Sequence, residues 1–404
     1  MMNMINPLSS NITSQMAGET RITKQQTPSG VQDDRKIADS SEISCLKPFE
    51  TPRDAVKILA EEFGYAEFPQ ISPDGEKVVF NVVADYTTSQ MFEIDLKDNT
   101  ICSLFTREPV TRKSLPAFLE QHKGKTDEQG TWSQDGRYVY YRSNEKGTFG
   151  IGRFDTKTCS KELLLHDPAM NLKHPVETHD GFIVGYGGSP SEKYITSEKY
   201  SDIFVGDLKN HTYHTITASD GSVAYKHPSE MNGSILAHKE TKGSEDAVAD
   251  LVLLDPDTGR EVNLTDTPES DERHPFYNKK RDLIAFHSDE SGDKNLWLTT
   301  ADGNRRCQLT FYGKAAQSPC WTPNGKKIIF VKKLDSVPEG EPFYNRKADI
   351  RMIDVKDALK DLAHQAKKRV KHAEQNDSGK DVLERAEKEY QDYLFFLKRF
   401  EKKD

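Results

Sequence analysis

Ser72-Pro73-Asp74-Gly75, followed by the alternating strand Val78-Val79-Phe80, is the stretch whose reading decides the fold, because the chain returns to it. Ser133-Gln134-Asp135-Gly136 leads into Tyr138-Val139-Tyr140-Tyr141, and Thr322-Pro323-Asn324-Gly325 leads into Ile328-Ile329-Phe330. A degenerate copy, Thr178-His179-Asp180-Gly181, precedes Phe182-Ile183-Val184. The chemistry is that of a tight hairpin: Pro presets φ at the second position, Asp or Asn tolerates the third, and Gly takes the positive φ that twisted strands demand. Ser234-Ile235-Leu236-Ala237 and Leu283-Ile284-Ala285-Phe286 fill the same strand position in two further copies.

A third strand recurs with an apolar pair and a closing Asp. Met91-Phe92-Glu93-Ile94-Asp95, Ile151-Gly152-Arg153-Phe154-Asp155, Ile203-Phe204-Val205-Gly206-Asp207, Leu251-Val252-Leu253-Leu254-Asp255 and Ile350-Arg351-Met352-Ile353-Asp354 carry it, and Leu296-Trp297-Leu298 with Asp302 is a looser copy. A proline marks each first strand at Pro69, Pro175, Pro228, Pro275 and Pro319, with Gly130 where the remaining marker falls. Six copies of four short strands at this spacing predict an all-β, six-bladed β-propeller. One blade cannot bury both of its faces; six stacked in a ring can.

The last copy ends at Asp354 without a fourth strand, and the chain turns helical with Lys356-Asp357-Ala358-Leu359. Glu42-Ile43-Ser44-Cys45-Leu46 resembles the other fourth strands, with Cys45 in the column of Cys102, Cys159 and Cys307. Residues 42–48 are therefore expected to close blade six. The resulting organisation is a disordered leader at 1–40, a propeller at 41–355 and a helical extension at 356–404. The extension reads as a hairpin of two helices broken at Asn376-Asp377-Ser378-Gly379, the second with one apolar face formed by Leu383, Ala386, Tyr390, Tyr393, Leu394, Leu397 and Phe400. That face suits packing on the propeller or docking of a partner. Shorter helices are expected over 51–63, capped by Thr51 with Pro52 in its first turn, and over 113–121.

The S-P-D-G turns, the proline before the first strand and the aromatic-x-apolar-Asp strand together resemble the TolB-type, WD-related propeller repeat over about residues 42–354. The resemblance implies the propeller and a channel-facing interaction surface. TolB's own periplasmic role is not carried over, since the separate N-terminal domain and the Sec signal of that family have no match here.

Composition bounds the function. The net charge of −9 argues against a dedicated nucleic-acid binder. No apolar run is long enough for a spanning helix, and the five scattered cysteines form neither a C-x-x-C pair nor a disulfide framework, a pattern of reducing compartments. Residues 1–30, rich in Ser, Thr, Asn and Gln, lack the parts of a secretory signal. The expectation is a cytoplasmic protein, or one exported by a non-Sec route as bacterial effectors are. No G-x-S-x-G, Walker or dinucleotide motif occurs. Lys367-Lys368-Arg369-Val370-Lys371 reads as a solvated helix face.

One constellation carries chemistry. His174, His227 and His274 each directly precede the marker proline, where the other blades have Phe68, Gln129 and Ser318. At the start of the innermost strand these imidazoles are expected to converge on the channel, and three neutral His with an open position suit a divalent transition metal. The three positions are similar to those of oligogalacturonate lyases, propellers that hold a metal with channel histidines. Arg273, His287 and His238 would be the companions of a lyase reaction. Two functions follow as expectations: a non-enzymatic scaffold binding a protein or glycan partner on the propeller face, with no nucleic acid or membrane partner; and a metal-dependent polysaccharide lyase or hydrolase working at the channel mouth.

Overall fold

In each repeat the turn is built as its residues require. Ser72 Oγ donates to the Asp74 carboxylate and accepts from Lys77 N at 2.9 Å, while Gly75, at φ 79°, donates its N–H to Ser72 O. Ser133 with Asp135, Thr178 with Asp180, and Thr322 with Asn324 repeat the side-chain bond. Hydroxyl and carboxylate thus replace backbone partners that a two-strand turn leaves open. In the computed structural model these turns join the inner two strands of four-stranded antiparallel sheets, and there are six such sheets. The structure describes residues 46–52, 55–59, 63–190, 200–241, 248–313, 315–334 and 347–401.

The inner strands are Tyr65–Ile71, Asp127–Trp132, Asn171–Glu177, Val223–Met231, Arg273–Asn278 and Ala316–Trp321, for blades one to six. Between blades, apolar side chains of the middle strands form separate buried clusters. Val79, Met91, Tyr141 and Phe154 fill the seam of blades one and two, and Leu236, Leu251, Ile284 and Phe286 that of blades four and five. A low hydrophobic fraction of 35% suffices because each thin layer buries only its two faces.

Blade six is closed by an N-terminal strand, as expected, but by a different segment. The fourth strand, β1 (Val56–Leu59), pairs antiparallel with Ala348–Asp354, Val56 opposite Met352 and Leu59 opposite Ile350. This corrects two readings at once: Val56–Leu59, not residues 42–48, takes the closing position, and within 51–63 residues 56–59 form a strand where a helix was expected. The helical pattern of Ala55–Ala60 is overridden because the outer edge of the last blade offers unpaired backbone groups, and Val56 and Ile58 suit a pleated strand. Thr51 does not cap a helix; its Oγ1 accepts from Phe311 N at 2.7 Å. Of residues 42–48, 42–45 lie outside the described residues. Leu46 is buried against Ala373, Val382 and Ala386 of the tail.

Helix α1 (Leu115–Gln121) forms where expected, with Pro116 in its first turn. The tail begins where blade six ends: Asp354 caps α2 (Val355–Gln375) by accepting from Asp357 N, and α3 (Lys380–Lys398) follows the break at Gly379, whose φ is 89°. The apolar face of α3 is taken up within the chain. Tyr393, Phe396 and Phe400 are buried with Leu359 and Leu362 of α2 and with Cys307, Leu309 and Trp321 of blades five and six, and Tyr393 OH donates to Gln308 O at 3.1 Å. The hairpin therefore covers the outer edge strand of blade five, Arg306–Gln308, an edge that would otherwise invite strand pairing. Among the described residues no helix is long and apolar enough to cross a membrane.

Candidate functional site in the channel

The six residues that precede the marker position share one backbone state. Phe68, Gln129, His174, His227, His274 and Ser318 all have φ between 48° and 54°. In every blade the register of the two inner strands slips there, between Glu67 and Gln70 in blade one and between Lys226 and Ser229 in blade four. Each is thus a β-bulge with a non-glycine residue in the left-handed region, a conformation that costs of order 1 kcal/mol and is repeated six times around the ring. The bulge re-aims the side chain to the axis. The sequence placed these residues in one column; it did not reveal the conformation.

The expected convergence occurs. Ring centroids of His174 and His227 are 4.9 Å apart, and those of His227 and His274 are 3.8 Å apart. Phe68 reaches across from blade one into the same space. Its ring lies 5.7 Å from His227 in a near-parallel stack at 14°, 5.6 Å from His274 and 6.3 Å from His174. Behind the column stand His238, stacked on His227 at 5.1 Å, and His287, edge-on to His274 at 4.9 Å. The cavity left at this level is about 20 Å³. A second cavity of about 150 Å³ shares Gln70 and Phe276 with the first and is lined further by Thr131, Trp132, Pro228 and Trp321, among others. A larger groove, about 750 Å³, lies elsewhere, between residues 47–51 and α2.

Burial keeps these imidazoles neutral. His174 is pushed down to about 3 by burial and by Arg142. His227, His238, His274 and His287 are all held well below the usual histidine range, first by burial and then by neighbouring histidines and cations. Hydrogen bonds fix two tautomers: His238 Nδ1 accepts from His274 N at 3.5 Å and His287 Nδ1 accepts from Ser318 N at 3.4 Å, so each carries its proton on Nε2. His274 Nδ1 is 2.9 Å from Ser318 Oγ. Both nitrogens of His227, Nδ1 of His174, Nε2 of His238 and Oε1 of Gln129 are buried without a hydrogen-bond partner.

Around the cluster runs an ion-pair network. Glu240 takes both Lys226, at 2.7 Å, and Arg273. Asp271 takes Arg273 at 2.5 Å and Lys294 at 2.7 Å, and Glu128 takes Arg142. Arg273, one of the residues considered for a lyase, is thereby engaged by two carboxylates. His238 and His287, the other two, do face the column. His174 meets His227 edge-on at 66° and His227 meets His274 tilted at 40°, and Phe68 lies within 6.3 Å of all three rings, in the space between them where a shared ion would have to sit. Among the described residues no three His, Cys, Asp or Glu side chains are grouped so as to hold a metal ion. The residue that sequence reasoning passed over is Phe68, which it placed in the column without a role; an aromatic ring among histidines at an axis-facing position was the available signal.

No family model matches the sequence, and no curated protein matches it. Solved structures do. TolB from Acinetobacter baumannii is 17% identical with a TM-score of 0.48, over 64% of this chain and 57% of TolB, so the match spans little more than half of TolB's length. An oligogalacturonate lyase from Vibrio parahaemolyticus is 14% identical with a TM-score of 0.46, over 77% of this chain and 96% of the lyase. An oligogalacturonate lyase in complex with manganese is 14% identical with a TM-score of 0.48 over the same shares. At these identities the likeness concerns fold alone. The chain is a six-bladed β-propeller whose structural neighbours are TolB-type and oligogalacturonate lyase propellers.

Proposed function

We propose that the protein is a non-enzymatic scaffold that holds a protein or glycan partner on the propeller face, built as a propeller of residues 41–355 with the tail at 356–404. The observation that carries this reading is Phe68: it stands in the channel at the level where the bulge shared by all six blades turns its side chains inward, and it leaves about 20 Å³ there. Arg273 and Lys226, two of the cations beside the column, are engaged by Glu240. The tail's apolar face is occupied by blades five and six, so the partner falls to the propeller face and not to α3. Export as an effector belongs to the same reading; a reporter fused to residues 1–40 that never leaves its producing cell would remove it.

The orphaned nitrogens of His174 and His227 favour a second reading, a divalent metal in the channel serving a polysaccharide lyase or hydrolase. A metal there would act as a Lewis acid, held by His174, His227 and His274, and Phe68 would have to leave the space between them. Elemental analysis of the purified full-length chain separates the two. The scaffold reading expects substoichiometric Mn, Ni and Zn. One metal per chain, lost in His174→Ala, His227→Ala and His274→Ala, would replace it with the second.

A further inference from the structure

The residue two positions after each bulge lies in the wall of the cavity of about 150 Å³. Gln70, Thr131, Val176, Ser229, Phe276 and Cys320, one from each blade, all line it. Strand geometry sets this second ring, since residues two apart share a face. Trp132 and Trp321 add indole rings, and Pro228 and Pro275 add pyrrolidine faces. No Asp, Glu, Lys or Arg belongs to the wall. His174, neutral as described, reaches it, and burial pushes the Cys320 thiol up to about 12, so the wall carries no charge at neutral pH.

The hydroxyl and indole donors of this wall are spent on adjacent blades. Thr131 Oγ1 donates to Pro175 O, and Ser229 Oγ donates to Pro275 O at 3.1 Å. Trp132 Nε1 donates to Gln70 O at 3.2 Å, and Trp321 Nε1 donates to Phe276 O at 3.1 Å. Cys320 Sγ donates to Gln70 Oε1 at 3.3 Å. Gln70 Nε2 has no acceptor among the described residues, so one amide donor remains on a wall of ring and aliphatic surface. A sugar would leave most of its hydroxyls unpaired there, and an ion would lose its hydration with no counter-charge.

We propose that this cavity binds a free small molecule, an uncharged aromatic or alicyclic ring that carries one hydrogen-bond acceptor for Gln70 Nε2. Its volume is that of a cavity that takes benzene. Gln134 is the one exposed residue of the wall, and the rest are buried or half-buried. The cavity is thus recessed beneath the turns that hold Pro73 and Gln134, which suits a free molecule better than a side chain tethered to a partner's backbone. The site goes beyond the scaffold reading and is separate from it, since neither Phe68 nor the ion pairs around the histidines belong to its wall.

Trp132 and Trp321 are two of the chain's three tryptophans, so tryptophan fluorescence reads the cavity directly. The full chain is titrated at pH 7.5 with cyclohexanol, an uncharged ring with one hydroxyl and no absorbance of its own near the protein's. The expected result is a saturable change in emission that Trp297→Phe keeps. Cyclohexylammonium and cyclohexanecarboxylate should bind at least tenfold more weakly, because the wall offers no counter-charge. Val176→Phe, which puts a ring into the cavity, should abolish the response. Gln70→Met, which keeps the shape and removes the donor, should weaken binding several-fold, and it carries the test where the added ring disturbs folding. No saturable response in the parent, an equal response to the charged rings, or a response kept in full by the variants that fold overturns the site. N-acetylphenylalaninamide binding more tightly than cyclohexanol overturns the free ligand and assigns the cavity to a partner's side chain. Elemental analysis on the same preparations is unaffected by any of these results, so the scaffold reading stands or falls separately.

Discussion

The inner strands and the seam of the ring are both closures, and they were legible to very different degrees. The bulge that turns a side chain to the axis occurs six times, from Phe68 to Ser318, at one φ and in one register slip. The closure of blade six occurs once, through Val56–Leu59. A feature written six times averages out the noise of any single copy. Blade two keeps its bulge at Gln129 although its proline is replaced by Gly130. A feature written once has no such protection. Its local pattern, Ala55 to Ala60, favours a helix, and only the unpaired edge of Ala348–Asp354 turns it into a strand.

The largest expected effect bears on the inner ring. His174, His227, His238, His274 and His287 have folded-state pKa values depressed below the ordinary 6.5, His174 to about 3. The unfolded chain binds more protons than the folded one between those values. The stability is therefore fully present above pH 6.5 and is lost as pH falls from 6.5 toward the folded values. Each histidine contributes up to about 1.4 kcal/mol per pH unit in that window. Denaturant midpoints should be level from pH 8 to 7 and drop steeply between pH 6.5 and 5, with a shallower drop in His227→Phe. A midpoint unchanged between pH 7.5 and 5.5 would mean that the ring admits protons freely and is no buried cluster.

Much of this ring is legible in the sequence. The blade count, the turns at Ser72, Ser133 and Thr322, the helical hairpin and its break at 376–379 all follow from local chemistry acting within a few residues. The meeting of His174, His227 and His274 followed from their common place before the proline. Two things did not. The reach of Phe68 across the axis depends on the radius of the ring, which is set by how six blades pack and by no single stretch of sequence. The tautomers of His238 and His287 depend on backbone N–H groups of the next blade, Ser318 and His274, more than thirty residues away. At the seam the misreading was of another kind: strand and helix propensities of Val56-Lys57-Ile58-Leu59 differ by less than the pairing free energy that decides between them.

The seam yields the next largest effect. Leu59 is 4% exposed and packs with Ile329, Ile350 and Cys320 of its own blade and with Phe63, Val78 and Phe92 around blade one. Leu59→Ala should cost about 2–4 kcal/mol through the cavity it leaves. It should lower the denaturant midpoint by a similar amount at pH 8 and pH 6, because nothing at the seam shares the histidines' titration. Leu46→Ala, in the segment that sequence pattern had favoured, removes only contacts to the tail helices and should cost less. If Leu46 proved the more costly of the two, the segment that holds the ring shut would lie before residue 51, and the comparison with the inner strands would have to be redrawn.

The smallest effect returns to the one blade that breaks the repeat. Gly130 stands where five blades have proline, and its φ is not in the left-handed region, so conformational freedom is not the reason for it. Space is: a Cβ at this position would sit 2.0 Å from Met91 Cε and 3.3 Å from Val139 Cγ1. Met91 is 1% exposed and locked between Val79, Tyr141 and Phe154, so its terminal methyl has little room to yield. A proline ring would meet the same methyl with more atoms. Blade two thus exchanges its marker for the side chain that blade one sends across the interface. Gly130→Ala should cost about 1–3 kcal/mol by overpacking, offset in part because alanine leaves the unfolded chain less conformational entropy to lose. In the Met91→Ala background the same change should be neutral or stabilising, giving a coupling of opposite sign to the single substitution. Equal costs in both backgrounds would break the link between Gly130 and Met91 and leave the lost proline to be explained by the bulge itself.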